Sequence, residues 1–165
     1  MAAKPNSATI LPSLLDRLTQ PVGGPTQRQI SWNAALAQLK QSLRRDLEAL
    51  LNTRRRPGRL GSDLADLARS PLRYGIPDFT AINMAAQERQ VAFGRALETV
   101  IKDFEPRLGN VSVTLLAADR GHLDRTMRFR VEAVIRIDPV PEPIVFESVL
   151  DPISRVFTVK ADPHG

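Results

Sequence analysis

Apolar positions recur along this chain with two periods, helical in the first two thirds and alternating in the last. Trp32, Leu36, Leu39, Leu43, Leu47, Leu50 and Leu51 follow one another at spacings of three and four, which sets them on one face of a helix. Ser31 stands where an N-cap hydroxyl would accept from the first turn. Full burial of one leucine is worth roughly 1.5–3 kcal/mol, so this face must pack on something. The stripe stops at "NTRRRPGRLG", where Pro57, Gly58 and Gly61 break it. A minor helix is expected around Ser62–Arg69, followed by a turn at "YGIPDF". A second long helix is expected from near Ala86 to Phe104, with Phe93, Leu97, Val100, Ile101 and Phe104 on its apolar face.

Beyond Pro106 the period becomes two. "VSVTLLAA", from Val111 to Ala118, is a candidate strand, and "DRGHLD" around Gly121 is a turn-rich connection. Met127, Phe129, Val131, Ala133, Ile135 and Ile137 then alternate with Arg128, Arg130, Glu132, Val134, Arg136 and Asp138. That pattern predicts a strand with one buried face. Prolines at 139, 141 and 143 suit an extended edge or a linker, not a central strand. "IVFESVL" and "RVFTVK" read as two further strands joined by "DPIS", with Pro152 in the turn. Helices first and strands last predict an α+β fold: N-terminal helices packed on a C-terminal, mainly antiparallel or mixed sheet. Unless the last hairpin lies inside the sheet, its edge is able to accept a strand. The chain divides into a leader over 1–29, one α+β domain over 30–160 and a frayed tail over 161–165. The leader holds the short apolar segment "TILPSLLDRL" and the Pro/Gly linker "TQPVGGPTQRQ".

A length of 165 residues suits one domain with a real core. Cysteine is absent, which removes disulfides, thiol nucleophiles and cysteine zinc sites. No run is apolar enough for a secretory signal or a membrane span, so a cytoplasmic protein is the default. The net charge of +5 leaves an acidic partner, nucleic acid or a membrane surface open. Arginines carry much of it: Arg44, Arg45, Arg54, Arg55, Arg56, Arg59, Arg69 and Arg73 all precede residue 75. Arginine suits carboxylate as well as phosphate, and no aromatic residue interleaves with this run to stack on bases. Nucleic-acid binding is therefore the weaker alternative. For "NTRRR" two readings stand side by side, a solvated helix C-terminus and docking to an acidic surface.

The chemistry converges on "FEPRL". Pro106 holds Glu105 and Arg107 on either side of a rigid corner between the second helix and the first strand. The corner could be a catalytic carboxylate, a helix stop with solvated charges, a clamp locking the junction, or a contact for another protein. A glycosidase needs two carboxyl groups across a sugar cleft, and Asp103, Asp119 and Asp124 accompany Glu105. A neighbouring cation suits an ion-pair partner better than a proton donor, and one Trp and one Tyr offer little sugar stacking. His122 and His164 lack neighbouring metal ligands, and no phosphate-cradling glycine loop or serine nucleophile motif is present. Neither an enzyme nor a metal or cofactor is expected.

"LLDRL", "RRDLEALLNTRR", "YGIPDF", "FEPRL" and "PVPEPIVFESVLDP" occur in an order and at spacings that resemble TssE, the family of type VI secretion baseplate subunits. The wider family includes the baseplate wedge protein of contractile phage tails that initiates the sheath. The resemblance runs from about Ser13 to Val159. It implies a structural role without catalysis: joining baseplate wedge proteins, and templating the first ring of sheath subunits by strand sharing. Neither nucleic acid, nor a small-molecule substrate, nor insertion into a membrane belongs to that role. The place implied is a cytoplasmic baseplate docked at the inner membrane. By the same resemblance Glu105 and Arg107 engage the wedge, Pro106 fixes their geometry, and Asn52, Thr53, Arg54 and Arg55 form a further interaction segment. "FESVLDP" and "RVFTVK" would lie near the sheath, and a glycine would be expected where "DPISR" has Ser154. Such proteins have also carried a lysozyme-like label, which makes a peptidoglycan hydrolase using Glu105 the natural rival.

Overall fold

The first helical stripe becomes α2, Trp32–Asn52, in the computed structural model of the chain. The structure describes residues 14–19, 31–56, 58, 64, 66–78, 86–116, 126–138, 140–151 and 153–161. Ser31 caps α2: its backbone is extended and its Oγ accepts from the Ala34 N–H at 3.4 Å. Leu39, Leu43, Leu47, Leu50 and Leu51 are buried, whereas Trp32 at the first turn stays 38 % exposed. The stripe thus reaches the core only from Leu39 onward. A short α1, Leu14–Thr19, precedes it, and α3, Gln87–Phe104, buries Phe93, Leu97, Val100 and Ile101. Between α2 and α3 lie two tight helical turns, Asp66–Arg69 and Pro71–Arg73. The first falls within the minor helix expected over 62–69.

Four strands, β1 (Leu108–Leu116), β2 (Met127–Ile135), β3 (Glu142–Leu150) and β4 (Phe157–Ala161), form one antiparallel sheet in sequence order. Phe129, Val131, Ala133, Ile135, Ile144, Phe146, Leu150, Phe157 and Val159 share its buried face beneath the helices. Phe93 of α3 joins them, its ring 5.8 Å from that of Phe129 and 6.5 Å from that of Phe157. The other face carries Arg128, Arg130, Glu132, Glu147 and Lys160, as the alternation required. The α+β expectation holds: α3 packs along β1 and α2 along β4.

Several boundaries differ from the sequence reading, each for a local reason. β1 begins at Leu108, not Val111, because the Arg136 N–H already bonds the Arg107 carbonyl at 2.8 Å. A bulge between Gly109 and Ser112, with Asn110 at φ 50, then hides the alternation. β2 ends at Ile135 rather than 138, where the Ile137 N–H turns back onto the Ile135 carbonyl at 3.1 Å. β4 starts at Phe157 rather than Arg155. In the turn before it the left-handed residue is Arg155, at φ 59, not Ser154. Asp151 holds that turn, accepting from the Ile153 N–H at 2.8 Å and the Ser154 hydroxyl at 2.7 Å. "DRGHLD", with Asp119, His122 and Asp124, lies outside the described residues, as do Pro152 and His164.

Pro143 contradicts the expectation that no proline sits in a central strand, for it pairs with Val134 inside β3. β4, however, pairs only with Phe146–Leu150, so β3 has one neighbour at 142–145 among the described residues. The missing proline N–H falls on that vacant side. Farther along, the outer edge of β4 is taken. Asn52 Nδ2 donates to the Phe157 carbonyl at 2.9 Å, and Asn52 Oδ1 accepts from the Phe157 N–H at 2.8 Å. Arg44 donates to the Val159 carbonyl at 3.2 Å and Arg54 to the Arg155 carbonyl at 2.8 Å. At the opposite edge, Glu98 of α3 accepts from the Val113 N–H at 3.3 Å.

Candidate functional site

Helix α3 stops at Phe104 because Pro106 forces Glu105 out of helical geometry, to φ −123 and ψ 76. The Glu105 N–H still closes on the Ile101 carbonyl at 2.8 Å, and the Leu108 N–H returns to the Glu105 carbonyl at 3.1 Å. The reversal brings Glu105 and Arg107 side by side. Arg107 Nε and Nη2 donate to Glu105 Oε1 and Oε2, each at 2.6 Å, a two-point ion pair. Glu105 is only 5 % exposed.

The pair does not stand alone. Arg107 Nη2 also donates to Asp46 Oδ2 at 2.7 Å, and Nη1 lies 3.5 Å from Ser42 Oγ. Asp46 accepts from Arg45, whose Nη1 reaches Asp16 of α1 at 2.8 Å. Charges therefore alternate from Glu105 through Arg107, Asp46 and Arg45 to Asp16, joining the corner, α2 and α1. The hydrogen bonds to Glu105, opposed by burial and reinforced by Asp46, hold the Arg107 proton well above the ordinary guanidinium range. Hydrogen bonding to Asp16 raises Arg45 likewise. Removing one member of such a buried pair typically costs about 3–5 kcal/mol, because the other is stranded.

Beside the network an open groove of about 360 Å³ is lined by Asp46, Leu50, Tyr74, Phe104, Glu105, Pro106 and Arg107. The Tyr74 ring meets Phe104 edge-on at 5.4 Å. Burial, then the charges of Asp46 and Glu105, push the Tyr74 hydroxyl above its ordinary value. Apolar walls beside a fixed ionic cluster suit a side-chain contact from another protein. For hydrolysis the arrangement is poor, since the Arg107 guanidinium stands between the two carboxylates where a sugar and its water would need to sit. Among the described residues no group of three or more His, Cys, Asp or Glu could hold a metal ion. No described helix is long and apolar enough to cross a membrane.

The segment Asn52–Arg55 lies apart from the corner trio, with no hydrogen bond or ion pair between the two among the described residues. Asn52 and Arg54 tie α2 to the β4 edge, and Thr53 Oγ1 donates to the Ala49 carbonyl at 2.8 Å. Backbone bonds at 2.9 Å, Arg55 N–H to Ile76 and Ile76 N–H to Thr53, strap the segment to the chain after Tyr74. Gly75 permits this: its φ is +104, and a Cβ there would lie 2.5 Å from the Thr53 carbonyl oxygen. Among the described residues the Arg55 side chain makes no such tie. The sequence reading missed Asp46 and Tyr74. Asp46 carried a signal, since it falls three after Leu43 and four before Leu50, a carboxylate on the apolar stripe.

The family model described as baseplate wedge protein gp25 matches residues 37–140. No curated protein matches the chain. The matched span takes in α2 from Ala37 onward, α3, the corner after it, β1 and β2.

Proposed function

The chain belongs to the baseplate wedge protein gp25 family, and from that premise we propose that it is a structural subunit of a type VI secretion baseplate, joining the wedge through its Glu105–Arg107 corner. The observation that carries this reading is the buried two-point ion pair set beside an open groove at the helix–strand junction. A purely structural stop would need Pro106 alone. The pair fixes the groove's floor in one geometry, and Tyr74, Phe104, Leu50 and Pro106 give a partner apolar surface to cover. The partners are wedge proteins and sheath subunits of the same machine, in a baseplate at the cytoplasmic face of the inner membrane. Type VI identity rests on the five sequence segments in order.

Sheath templating by strand sharing needs a vacant strand position. With Asn52, Arg44 and Arg54 on the outer side of β4, the position offered is β3 at Glu142–Val145, in line with β4. Val145 presents both backbone groups there and Pro143 only a carbonyl.

The rival is hydrolysis at Glu105. Purified wild-type protein and Glu105→Gln, incubated with peptidoglycan, are expected to release no soluble fragments. Release by wild type that Glu105→Gln abolishes would overturn the structural reading.

A further inference from the structure

The strap that follows α2 is a second surface, remote from the corner network in its bonding. Its backbone is fixed by Ile76, and its side chains diverge. Arg54 reaches across to the Arg155 carbonyl in the β3–β4 turn. On the other side Arg73 donates to the Gly58 carbonyl at 2.9 Å and lies 3.5 Å from that of Arg56, which ties the 71–73 turn to the strap. Arg55 stands beside Arg73 and among the described residues has no hydrogen bond or ion pair. Burial and then the charge of Arg73 lower its proton affinity. At Arg54 burial acts the same way and Arg155 adds to it, against a partial offset from Asp78.

Large apolar side chains flank these cations in solvent. Leu72, next to Arg73, is 61 % exposed; Ile153 and Val156, on either side of Ser154 and Arg155, are 91 % and 48 % exposed. A half-buried guanidinium with a like-charged neighbour gains most when a carboxylate arrives. Exposed leucine, isoleucine and valine beside it favour a partner that brings apolar side chains as well. Among the described residues this surface has no aromatic platform for bases, which counts against nucleic acid.

We propose that Arg55, Arg73 and the flanking Leu72, Ile153 and Val156 form a docking surface for an acidic, amphipathic protein segment. Carboxylates of that segment take Arg55 and Arg73, and its apolar side chains cover Leu72 and the β3–β4 turn. The rigid strap holds the arginine backbone in place before binding. This surface does not depend on the corner or on the proposed baseplate role.

The test uses the full chain and a fluorescein-labelled 14-residue peptide of alternating Glu and Leu, read by anisotropy at 150 mM salt. Binding is expected, weakened at least tenfold by Arg55→Glu and several-fold by Leu72→Ser. Arg95→Glu on the exposed side of α3 should leave it within twofold. Since the Arg55 side chain makes no hydrogen bond or ion pair among the described residues, Arg55→Glu should keep a wild-type circular dichroism spectrum. Should it unfold, Leu72→Ser with Ile153→Ser decides the matter. Absence of peptide binding, equal loss in Arg55→Glu and Arg95→Glu, or tighter binding of a 12-nucleotide single strand would each overturn the proposal.

Discussion

Glu105 and Asp46 share one arginine, and that sharing governs the chemistry of the site. The corner residues were legible because proline, acid and base adjoin in sequence. Asp46 was not, because its contact with Arg107 spans 61 positions and exists only once α2 and α3 pack. The single tyrosine offers a direct reading of this network. Burial of Tyr74, with the charges of Asp46 and Glu105, disfavours the phenolate, so the folded chain keeps this proton to higher pH than the unfolded chain. The associated stability is complete below the unfolded value near 10 and is lost as pH rises through the folded one. Absorbance at 295 nm should therefore show a midpoint above 10, lowered but still raised in Glu105→Gln. A wild-type midpoint at or below 10 would contradict the electrostatic account.

Helix α2 does two jobs that its sequence reveals unequally. Its leucines announce a core-facing stripe, and the structure buries those from Leu39 to Leu51. Its polar residues give no hint that Arg44 and Asn52, eight residues apart, line the outer edge of β4. Eight residues is about 2.2 helical turns, an offset of about 80°, so the two still emerge within one broad face of the helix. The Asn52 amide donates and accepts like a strand residue opposite Phe157, which finishes an edge only five residues long. Asn52→Ala should cost about 1–2 kcal/mol in urea unfolding, the worth of two such bonds. Hydrogen exchange of the Phe157 amide should accelerate while amides of α3 do not. Unchanged stability and exchange would mean that the edge is held by packing alone. Strand limits were the least legible elements, because the Asn110 bulge and the Ile137 turn are backbone features that hydrophobic alternation does not encode.

Across the whole molecule, the two helices cover one face of the sheet and flank its outer strands, leaving the charged face of β2 and β3 to solvent. The order of helices and strands made this layered plan readable in advance. The placement of the groove was not, since it draws on α2, the turn at Tyr74 and the α3–β1 corner together. That convergence is the surface proposed above for contact with a neighbouring subunit. The decisive measurement is sheath assembly in cells of the organism that carries this chain, followed with a fluorescent sheath subunit. The gene is deleted and restored as wild type, Arg107→Glu or Tyr74→Lys, with protein levels matched; Tyr74→Lys alters the groove wall without removing a charged member of the network. The account predicts no sheaths in the deletion, full recovery with wild type, and failure with both variants. Normal sheaths in the deletion, or full recovery with both variants, would contradict it.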